Sequence, residues 1–260
     1  MKVYFAYSSH FEQLLREENV SIMLSFHERK RALCPEVPTG FREIMVDSGG
    51  FQLRTGVASQ WELTLGGYCF WLQQVLPKYP EIVAYLNLDI PDDPEKSLAN
   101  QLYMESQGLH PLPVWHIRSG DDYLNYYCEN YEYVAIRGLV GGGLLGIQRV
   151  IERARHLYPQ TRFHFLGVGV GAFQTFQAVR PYSVDCSTWA DPGRFGDEIL
   201  VDTQGTDKVL RTRKLPVEIR ASFRKNRGLR MEYVRQAVRA IKLMGDMVEK
   251  LEGEWQHPLL

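Results

Sequence analysis

The sequence lacks closely spaced cysteines, and this absence excludes two classes of protein. Its four cysteines, Cys34, Cys69, Cys128 and Cys186, are scattered along the chain with no CxxC pair. Such spacing provides neither a zinc knuckle nor the disulfide framework of a small secreted domain. We therefore expect a reducing, cytoplasmic setting.

Long apolar runs are also missing. No stretch of about 18 residues is both apolar and uncharged, which is the length that a membrane-spanning helix requires. The N-terminal residues have a single lysine and only a short apolar stretch, so they do not form a signal-peptide pattern. The chain has 260 residues and a hydrophobic fraction of 45%, which is enough for a substantial core. We expect a globular protein with neither a membrane span nor a signal peptide.

Positive charge is concentrated near the C-terminus. Residues 208–242 hold twelve lysines and arginines against two acids, a local excess of ten positive charges in a chain whose net charge is -1. Two interpretations remain open: the solvated face of terminal helices, or a phosphate-binding surface for a polyanion. The candidate phosphate-binding residues, in and just before this block, are Arg194, Lys208, Arg211, Arg213, Lys214, Arg224, Lys225 and Arg227.

Short β-rich runs alternate with helix-like segments along most of the chain. The runs predict eight strands, at residues 3–6, 21–26, 44–46, 82–88, 114–117, 133–136, 163–168 and 182–184. The intervening segments predict helices at residues 60–76, 94–107, 121–130 and 144–157. This order predicts an α/β fold, a closed (β/α)8 TIM barrel, with a doubly wound open sheet as the alternative.

The last part of the chain has a helical pattern. Residues 216–251 predict one or two long helices, and no Pro/Ser/Gly-rich linker separates them from the rest. We therefore expect a catalytic barrel over residues 1–205 and a basic helical C-terminal appendage over residues 206–260, packed on the barrel.

Polar residues follow the predicted strands, at the edge where such barrels build their sites. Each has an ordinary explanation by itself, because aspartates and glycines form turns and helix caps and a lone histidine is more often structural. Three carboxylates at the ends of three strands would nevertheless converge if the barrel closes. The candidate site residues are Asp47, Ser48, Gly49, Gly50 and Gln52 after the third strand, Asp89 after the fourth, His116, Arg137 and Gly138 after the fifth and sixth, and Asp185 at the eighth.

Two other features of this region, a set of glycines and a cysteine, are weaker indications of function. Gly167, Gly169 and Gly171 lack the full dinucleotide-binding spacing and an acidic residue placed to hold a ribose, so they do not indicate a nucleotide cofactor. Cys186, beside Asp185, could be a thiol nucleophile, but a cysteine at a strand end is usually buried and inert.

Several segments together resemble one enzyme family. Residues 46–52, VDSGGFQ, resemble the DSGGFQ signature of the queuine/archaeosine tRNA-guanine transglycosylase superfamily. In the same order, Leu88-Asp89 resembles the strand end whose aspartate recognises the base, and residues 135–141 resemble the glycine-rich wall of the base pocket. Residues 183–186, SVDC, resemble the strand that carries the nucleophilic aspartate. The resemblance covers most of residues 40–200.

The chain also departs from the tRNA enzymes of that family. No cysteine follows Cys186, so their C-terminal zinc site is missing, and residues 116–120, HIRSG, stand where a glutamine-glycine-glycine is usual. The chain is more similar to the zinc-less branch that places 7-deazaguanines in DNA and occurs in phages and bacterial modification clusters. We expect DNA as the partner, with tRNA as the alternative, and a preQ0-like 7-deazaguanine as the incoming base. The setting would then be a bacterial cytoplasm, that of the host if the gene is carried by a phage.

The resemblance implies a role for each matched residue. Asp185 would be the covalent nucleophile and Asp47 its acid/base partner, in a reaction that needs no metal or redox cofactor. The residues expected to bind the base are Ser48, Gly49, Gly50, Gln52, Asp89, His116, Arg137 and Gly138. Two alternatives stay open: a tRNA-guanine transglycosylase, and a non-catalytic partner subunit of such an enzyme. The resemblance does not decide whether the chain acts alone, as a homodimer or with another protein.

Overall fold

A computed structural model describes residues 1–27, 36–50, 64–138, 144–170, 173, 180–204, 207–223 and 226–253. Its main feature is an eight-stranded, all-parallel, curled sheet with helices between the strands. The strands are β1 (Lys2–Ala6), β2 (Ser21–Ser25), β3 (Ile44–Asp47), β4 (Ile82–Tyr85), β5 (Val114–His116), β6 (Tyr133–Arg137), β7 (Arg162–Phe165) and β8 (Ser183–Cys186). The helices among them are α1 (Glu12–Glu17), α2 (Leu65–Val75), α3 (Pro94–Ser106), α4 (Asp121–Asn130) and α5 (Leu144–Leu157).

The strand order is β4-β3-β2-β1-β8-β7-β6-β5, so the first and last strands along the chain pair at the centre of the sheet. The prediction of eight parallel strands is confirmed, but the prediction of a closed barrel is wrong. β4 and β5 share no ladder and are joined only by an isolated parallel bridge between Leu86 and Leu112. The carbonyl of Asn87, which could continue this pairing, accepts instead from the N–H of Asp89 at 2.9 Å. The chain turns away there, and the sheet remains TIM-like but open.

The side chains on the two faces of the sheet belong to different parts of the core. A small buried cluster takes side chains from most strands and lies inside the curl, whereas a larger cluster fills the space between the sheet and the helices. The small cluster consists of Tyr4, Met23, Met45, Leu86, Leu112, Val114, Ala135 and Leu166. Because side chains alternate along a strand, residues two positions beyond Met45, Val114 and Ala135 face the same side. Those residues are Asp47, His116 and Arg137.

The predicted elements are confirmed with shifted ends. All eight predicted strands are present, although β4 and β7 end earlier than their apolar runs. Predicted helices 94–107, 121–130 and 144–157 are present as α3, α4 and α5. The helix predicted at 60–76 is observed from Leu65 to Val75, and residues 60–63 lie outside the described part of the chain. Sequence patterns did not predict α1, whose six residues are too few for a clear helical period.

After β8 and a short helix α6 (Asp191–Phe195), the chain forms an antiparallel hairpin of β9 (Asp197–Gln204) and β10 (Asp207–Lys214). The hairpin crosses the boundary expected after residue 205, so the segment expected to be a helical appendage begins with a strand. Helices α7 (Val217–Ser222) and α8 (Arg227–Gly253) follow. The division into a barrel and an appendage stays a prediction.

Helix α8 contributes side chains to the main core. Val234, Val238 and Ile241 are fully buried in the larger cluster. The helix passes so close to β1 that a Cβ atom on Gly245 would lie 2.8 Å from Cγ2 of Val3. The N-terminal ammonium of Met1 donates to the carbonyl of Gly245 at 3.1 Å. Among the described residues, no helix has the length and apolar character needed to cross a membrane.

Candidate active site

Arg137, at the end of β6, lies among carboxylates from other strand ends. Its Nη2 is 3.3 Å from Oδ1 of Asp47 at the end of β3, and its Nε is 3.1 Å from Oδ2 of Asp89 in the turn after β4. Burial lowers the pKa of the Arg137 guanidinium, but the charges of Asp89, Asp47 and Asp185 outweigh this effect and hold it above its usual value. The structure therefore gathers four of the predicted site residues at one edge of the sheet.

Asp89 is fully buried and has two cationic or polar neighbours. Besides Arg137, the Nε2 atom of His116 lies 2.8 Å from Oδ2 of Asp89. Burial by itself would raise the pKa of Asp89, but the charge of Arg137 and the hydrogen bond with His116 hold it below its ordinary value. Asp89 is thus an ionised buried carboxylate, and such a group is tolerated only while its compensating charge is in place.

Hydrogen bonds with α3 hold the turn that carries Asp89. The Nδ2 atom of Asn100 donates to the carbonyl of Leu88 at 2.7 Å, and the Nδ2 atom of Asn87 donates to the carbonyl of Ser97 at 2.8 Å. Sequence analysis missed these supporting residues. Ser97 and Asn100 are buried and stand three positions apart, on one helix face. A pair of small polar residues on the buried face of a helix is the signal that could have identified them.

Asp47 is placed on the inner face and remains partly accessible, with 15% of its side chain exposed. Burial raises the pKa of Asp47 to about 6, opposed by the adjacent Arg137 and assisted by the negative charges of Asp89 and Asp185. A carboxyl with this pKa exchanges a proton near neutral pH, as a general acid/base requires.

The raised pKa of Asp47 predicts a pH-dependent stability difference between the wild type and Asp47→Asn. The unfolded carboxyl titrates near 3.8 and the folded one at about 6, so the protonated form favours folding and that stability is lost as pH rises through 6. The variant has no such loss. Relative to the wild type it should gain up to about 3 kcal/mol between pH 4 and pH 8, at about 1.4 kcal/mol per pKa unit.

Urea unfolding of both proteins across that pH range measures this difference. Asp246→Asn, at an exposed position on α8, is the matched control for the loss of a carboxylate. A constant difference for Asp47→Asn across the range would contradict the raised pKa.

The two glycines after Ser48 are each required for a different structural reason. Gly49 has φ +96°, a left-handed conformation that L side chains rarely adopt. A Cβ atom on Gly50 would lie 2.5 Å from Oδ1 and 2.6 Å from the backbone oxygen of Asp89, so only glycine allows this approach. Gly138, after Arg137, has φ +100°. Gln52 lies outside the described residues.

The close approach of Gly50 to Asp89 predicts that Gly50→Ala destabilises the protein. The added methyl group must displace a backbone carbonyl as well as a buried carboxylate, at a cost of about 1–3 kcal/mol. Gly66→Ala is the control, because Gly66 is exposed in α2 and a Cβ atom there meets nothing within 4 Å. The control should be neutral or up to about 1 kcal/mol more stable. Thermal unfolding that ranks the two variants equally would disprove the steric argument.

Two buried polar atoms near these glycines lack a hydrogen-bond partner among the described residues. They are Oγ of Ser48 and Oδ1 of Asp89. Buried polar atoms are nearly always satisfied, so an unsatisfied pair beside a cluster of charges is a candidate for contact with a ligand. Both atoms are covered from solvent, so a ligand reaches them only when the groups that cover them move.

Asp185 lies at the end of β8 with 12% of its side chain exposed. Its Oδ1 accepts a hydrogen bond of 2.7 Å from the backbone N–H of Gly167, whose φ of +69° directs the chain back toward β8. Nε2 of His164 lies 3.6 Å from the same oxygen. Sequence analysis missed His164, although a histidine between Phe163 and Phe165 in an apolar strand is a visible signal.

Cys186 points to the opposite face from Asp185. It is fully buried, and burial raises the pKa of its thiol to about 11. A thiol that stays protonated at neutral pH is a poor nucleophile. The expectation that Cys186 is buried is confirmed.

The candidate phosphate-binding residues divide into two groups. Arg194, in α6, and Arg227, at the start of α8, are both exposed. Three cations of the hairpin, by contrast, each lie against an acid of the neighbouring strand. In this second group Arg211 Nε is 2.7 Å from Asp202 Oδ2, Lys214 Nζ is 2.5 Å from Asp197 Oδ1, and Arg213 contacts Glu198. Lys208 belongs to β10, and Arg224 and Lys225 lie outside the described residues.

Other arginines among residues 208–242 form ion pairs within the fold. Arg239 Nη2 is 2.8 Å from Glu18 Oε1, and Arg235 lies 2.8 Å from Glu17 and 3.2 Å from Glu18. These pairs fasten α8 to the end of α1. Part of the positive excess counted along the sequence is therefore neutralised within the fold.

Among the described residues, no group of three or more His, Cys, Asp or Glu side chains is arranged to hold a metal ion. The chain matches no protein-family model, and a search of curated proteins finds none with significant similarity to it. Function is therefore inferred from the arrangement of the site residues and from the motifs that supply them.

Proposed function

We propose that this protein is a base-exchange transglycosylase that replaces guanine in DNA with a 7-deazaguanine through a covalent aspartyl-sugar intermediate. The observation that carries the proposal is the group of three strand-end carboxylates, Asp47, Asp89 and Asp185, around the guanidinium of Arg137. One of the three has a pKa near neutrality, and another is partly exposed and hydrogen-bonded by a backbone N–H. Paired carboxyls in different environments are the arrangement that glycosidic chemistry uses.

In the first half of the reaction, a carboxylate oxygen of Asp185 attacks C1′ of the target nucleotide. The C1′–N9 bond breaks, and its electron pair leaves with the guanine. Asp47, in its protonated form, gives its proton to the departing base, which is the role its pKa of about 6 suits. The products are a neutral guanine and a sugar esterified to Asp185.

In the second half, the incoming 7-deazaguanine attacks C1′ through N9. Its N9 proton passes to the carboxylate of Asp47, which restores the protonated acid. The ester bond breaks with its electron pair returning to Asp185, so the carboxylate is regenerated. The sugar-phosphate backbone is never cut, and neither a redox step nor an activated donor is needed.

The polar groups around Asp89 would read the base. Oδ1 of Asp89 can accept from the N–H groups of a guanine edge, and the hydroxyl of Ser48 can either donate or accept. Arg137 and His116 contact Oδ2 of Asp89, so Oδ1 is the oxygen that can accept a hydrogen bond from the base. Gly49, Gly50 and Gly138 let the backbone approach the planar base closely.

Duplex DNA hides the C1′ atom and the base, so the target nucleotide must be flipped out or presented in single-stranded form. Flipping costs a few kcal/mol, which contacts with phosphates can offset. Arg194, Arg227 and the neighbouring Arg224 and Lys225 are the cations we assign to this role. The hairpin cations are less suited to it because acids already neutralise them.

This assignment predicts the salt dependence of DNA binding. Replacing Arg224, Lys225 and Arg227 together with glutamine should flatten the plot of log affinity against log salt by up to about 0.9 for each lost phosphate contact. The control variant replaces the three hairpin cations Arg211, Arg213 and Lys214 with glutamine. It removes the same charge and should leave the slope nearly unchanged. The slope is measured by fluorescence anisotropy. An unaltered slope in the first variant would reject Arg224, Lys225 and Arg227 as the docking surface.

Base exchange itself is tested by label incorporation. The purified full chain is incubated with radiolabelled guanine and, in parallel, single-stranded DNA, duplex DNA or tRNA, and each labelled polymer is then chased with 7-deazaguanines such as preQ0. We expect label to enter DNA and to be displaced by a deazapurine. Uptake into tRNA alone would replace the proposal with the tRNA-modifying alternative, and no uptake into any polymer would reject base exchange.

A further inference from the structure

A network of buried polar side chains from β6, β7 and β8 extends to Asp185. His164 of β7 and Ser183 of β8 are partners in the strand register, and Nδ1 of His164 lies 2.6 Å from Oγ of Ser183. The hydroxyl of Tyr133, from β6, is hydrogen-bonded to the same Oγ atom. His164 and Ser183 are both fully buried, so these bonds do not compete with water.

The other ring nitrogen of His164 faces Asp185. Its Nε2 atom lies 3.6 Å from Oδ1 of Asp185 and has no hydrogen-bond partner among the described residues. The ring of Tyr4 packs edge-on against the imidazole, with 6.0 Å between ring centres. The imidazole is therefore held in one orientation, with its free nitrogen directed at the candidate nucleophile.

The geometry favours one tautomer of His164. A lone pair on Nε2 would repel the carboxylate of Asp185, whereas an N–H group there attracts it. The proton then resides on Nε2, Nδ1 accepts from the hydroxyl of Ser183, and Ser183 accepts from the hydroxyl of Tyr133. In this series of hydrogen bonds, the hydroxyl of Tyr133 donates to Ser183 and the hydroxyl of Ser183 donates to His164. No hydroxyl has to donate twice, so the assignment is self-consistent.

We propose that His164 is a positioning residue for Asp185, with its tautomer set by Ser183 and Tyr133. This inference rests on the proposed function, in which Asp185 is the nucleophile. Together with the N–H of Gly167, the Nε2–H group would hold Oδ1 and leave Oδ2 as the attacking oxygen. The present 3.6 Å separation is longer than a hydrogen bond and would shorten when the nucleotide binds.

Holding one oxygen has a consequence for both half-reactions. When Oδ2 forms the ester, Oδ1 becomes its carbonyl oxygen and keeps its two donors. When the ester breaks, the same donors stabilise the charge that returns to the carboxylate. His164 makes no contact with the sugar in this scheme and exchanges no proton, so its effect should be on the rate of ester formation rather than on nucleic-acid affinity.

Two substitutions of equal length isolate the proposed N–H group. His164→Gln can place an amide N–H near the position of Nε2, whereas His164→Met fills similar space without a donor. Single-turnover formation of the protein–DNA adduct should stay within about fivefold of wild type in the glutamine variant and fall about 10- to 100-fold in the methionine variant. DNA affinity and melting temperature, measured in parallel, should be similar in the two variants.

The tautomer is measured separately, on the wild-type protein labelled with ¹⁵N-histidine. The signals of His164 among the seven histidines are identified by their loss in His164→Gln. Long-range ¹H–¹⁵N spectra should show a proton on Nε2 of the ring, and Ser183→Ala should shift the tautomer ratio. A proton on Nδ1 in the wild type, or equal adduct rates in the glutamine and methionine variants, would overturn the positioning role. Failure of the wild type to form any adduct would reject base exchange, and the tautomer would still decide whether His164 presents a donor to Asp185.

Discussion

Asp185→Asn should form no covalent adduct with DNA and should lose base exchange by roughly 10⁴-fold or more, the scale of effect that removal of a covalent nucleophile produces. An amide is a poor nucleophile, yet it keeps the size of the side chain and can still accept from the N–H of Gly167. The fold should therefore be retained. Denaturing gel electrophoresis of the protein with labelled DNA measures the adduct directly.

Two variants serve as controls for this experiment. Cys186→Ser alters the neighbouring residue on the opposite face and should form the adduct at nearly the wild-type rate, because the buried thiol takes no part. Asp47→Asn should bind DNA normally but turn over poorly, by about 10²- to 10⁴-fold, since it removes the acid/base group. Full exchange activity in Asp185→Asn, or loss of the adduct in Cys186→Ser, would end the proposed mechanism.

Arg137→Met should destabilise the protein by about 3–5 kcal/mol, because it leaves Asp89 buried without its cation. Asp89 is fully buried, and its lowered pKa depends first on the charge of Arg137. Methionine fills much of the space of the arginine stem, so the loss reports the missing charge rather than a cavity. Urea unfolding at pH 7 measures the change in the free energy of unfolding.

A double-mutant cycle separates the ion pair from the packing. Arg137→Met combined with Asp89→Asn removes both charges and should recover a large part of the stability lost in Arg137→Met alone. Additive effects of the two substitutions would show that Asp89 and Arg137 do not depend on each other. Such a result would also weaken the argument that a compensated carboxylate is available to read a base.

The parts of the site that could be predicted from sequence follow from alternation along strands. Asp47, His116 and Arg137 directly follow apolar residues of their strands, and alternation along each strand then places their side chains. Asp185 follows only Val184, because Ser183 interrupts its apolar run. The burial of Cys186 follows from the same alternation, since it is the next residue after Asp185. Strand existence was therefore predictable, and so was the grouping of these side chains at one edge.

Other features depend on contacts that local patterns do not encode. The turn from Asn87 to Asp89, which ends the pairing of β4 with β5, depends on one backbone hydrogen bond and on asparagine contacts with α3. The β9–β10 hairpin has no regular alternation of apolar and polar residues, because each strand has a short apolar run flanked by polar and charged residues. Its strands face each other with opposite charges, a pattern that is informative only once the pairing is known.

The close fit of Gly245 in α8 against Val3 has a consequence for biosynthesis. β1 pairs with β2 soon after both are made, but its other edge pairs only with β8, and its outer surface is covered by α8, which begins at Arg227. A ribosome must therefore synthesise α8 before the hydrophobic interior is sealed. Truncated products of premature termination would expose that interior, and chaperones or proteases would be expected to remove them.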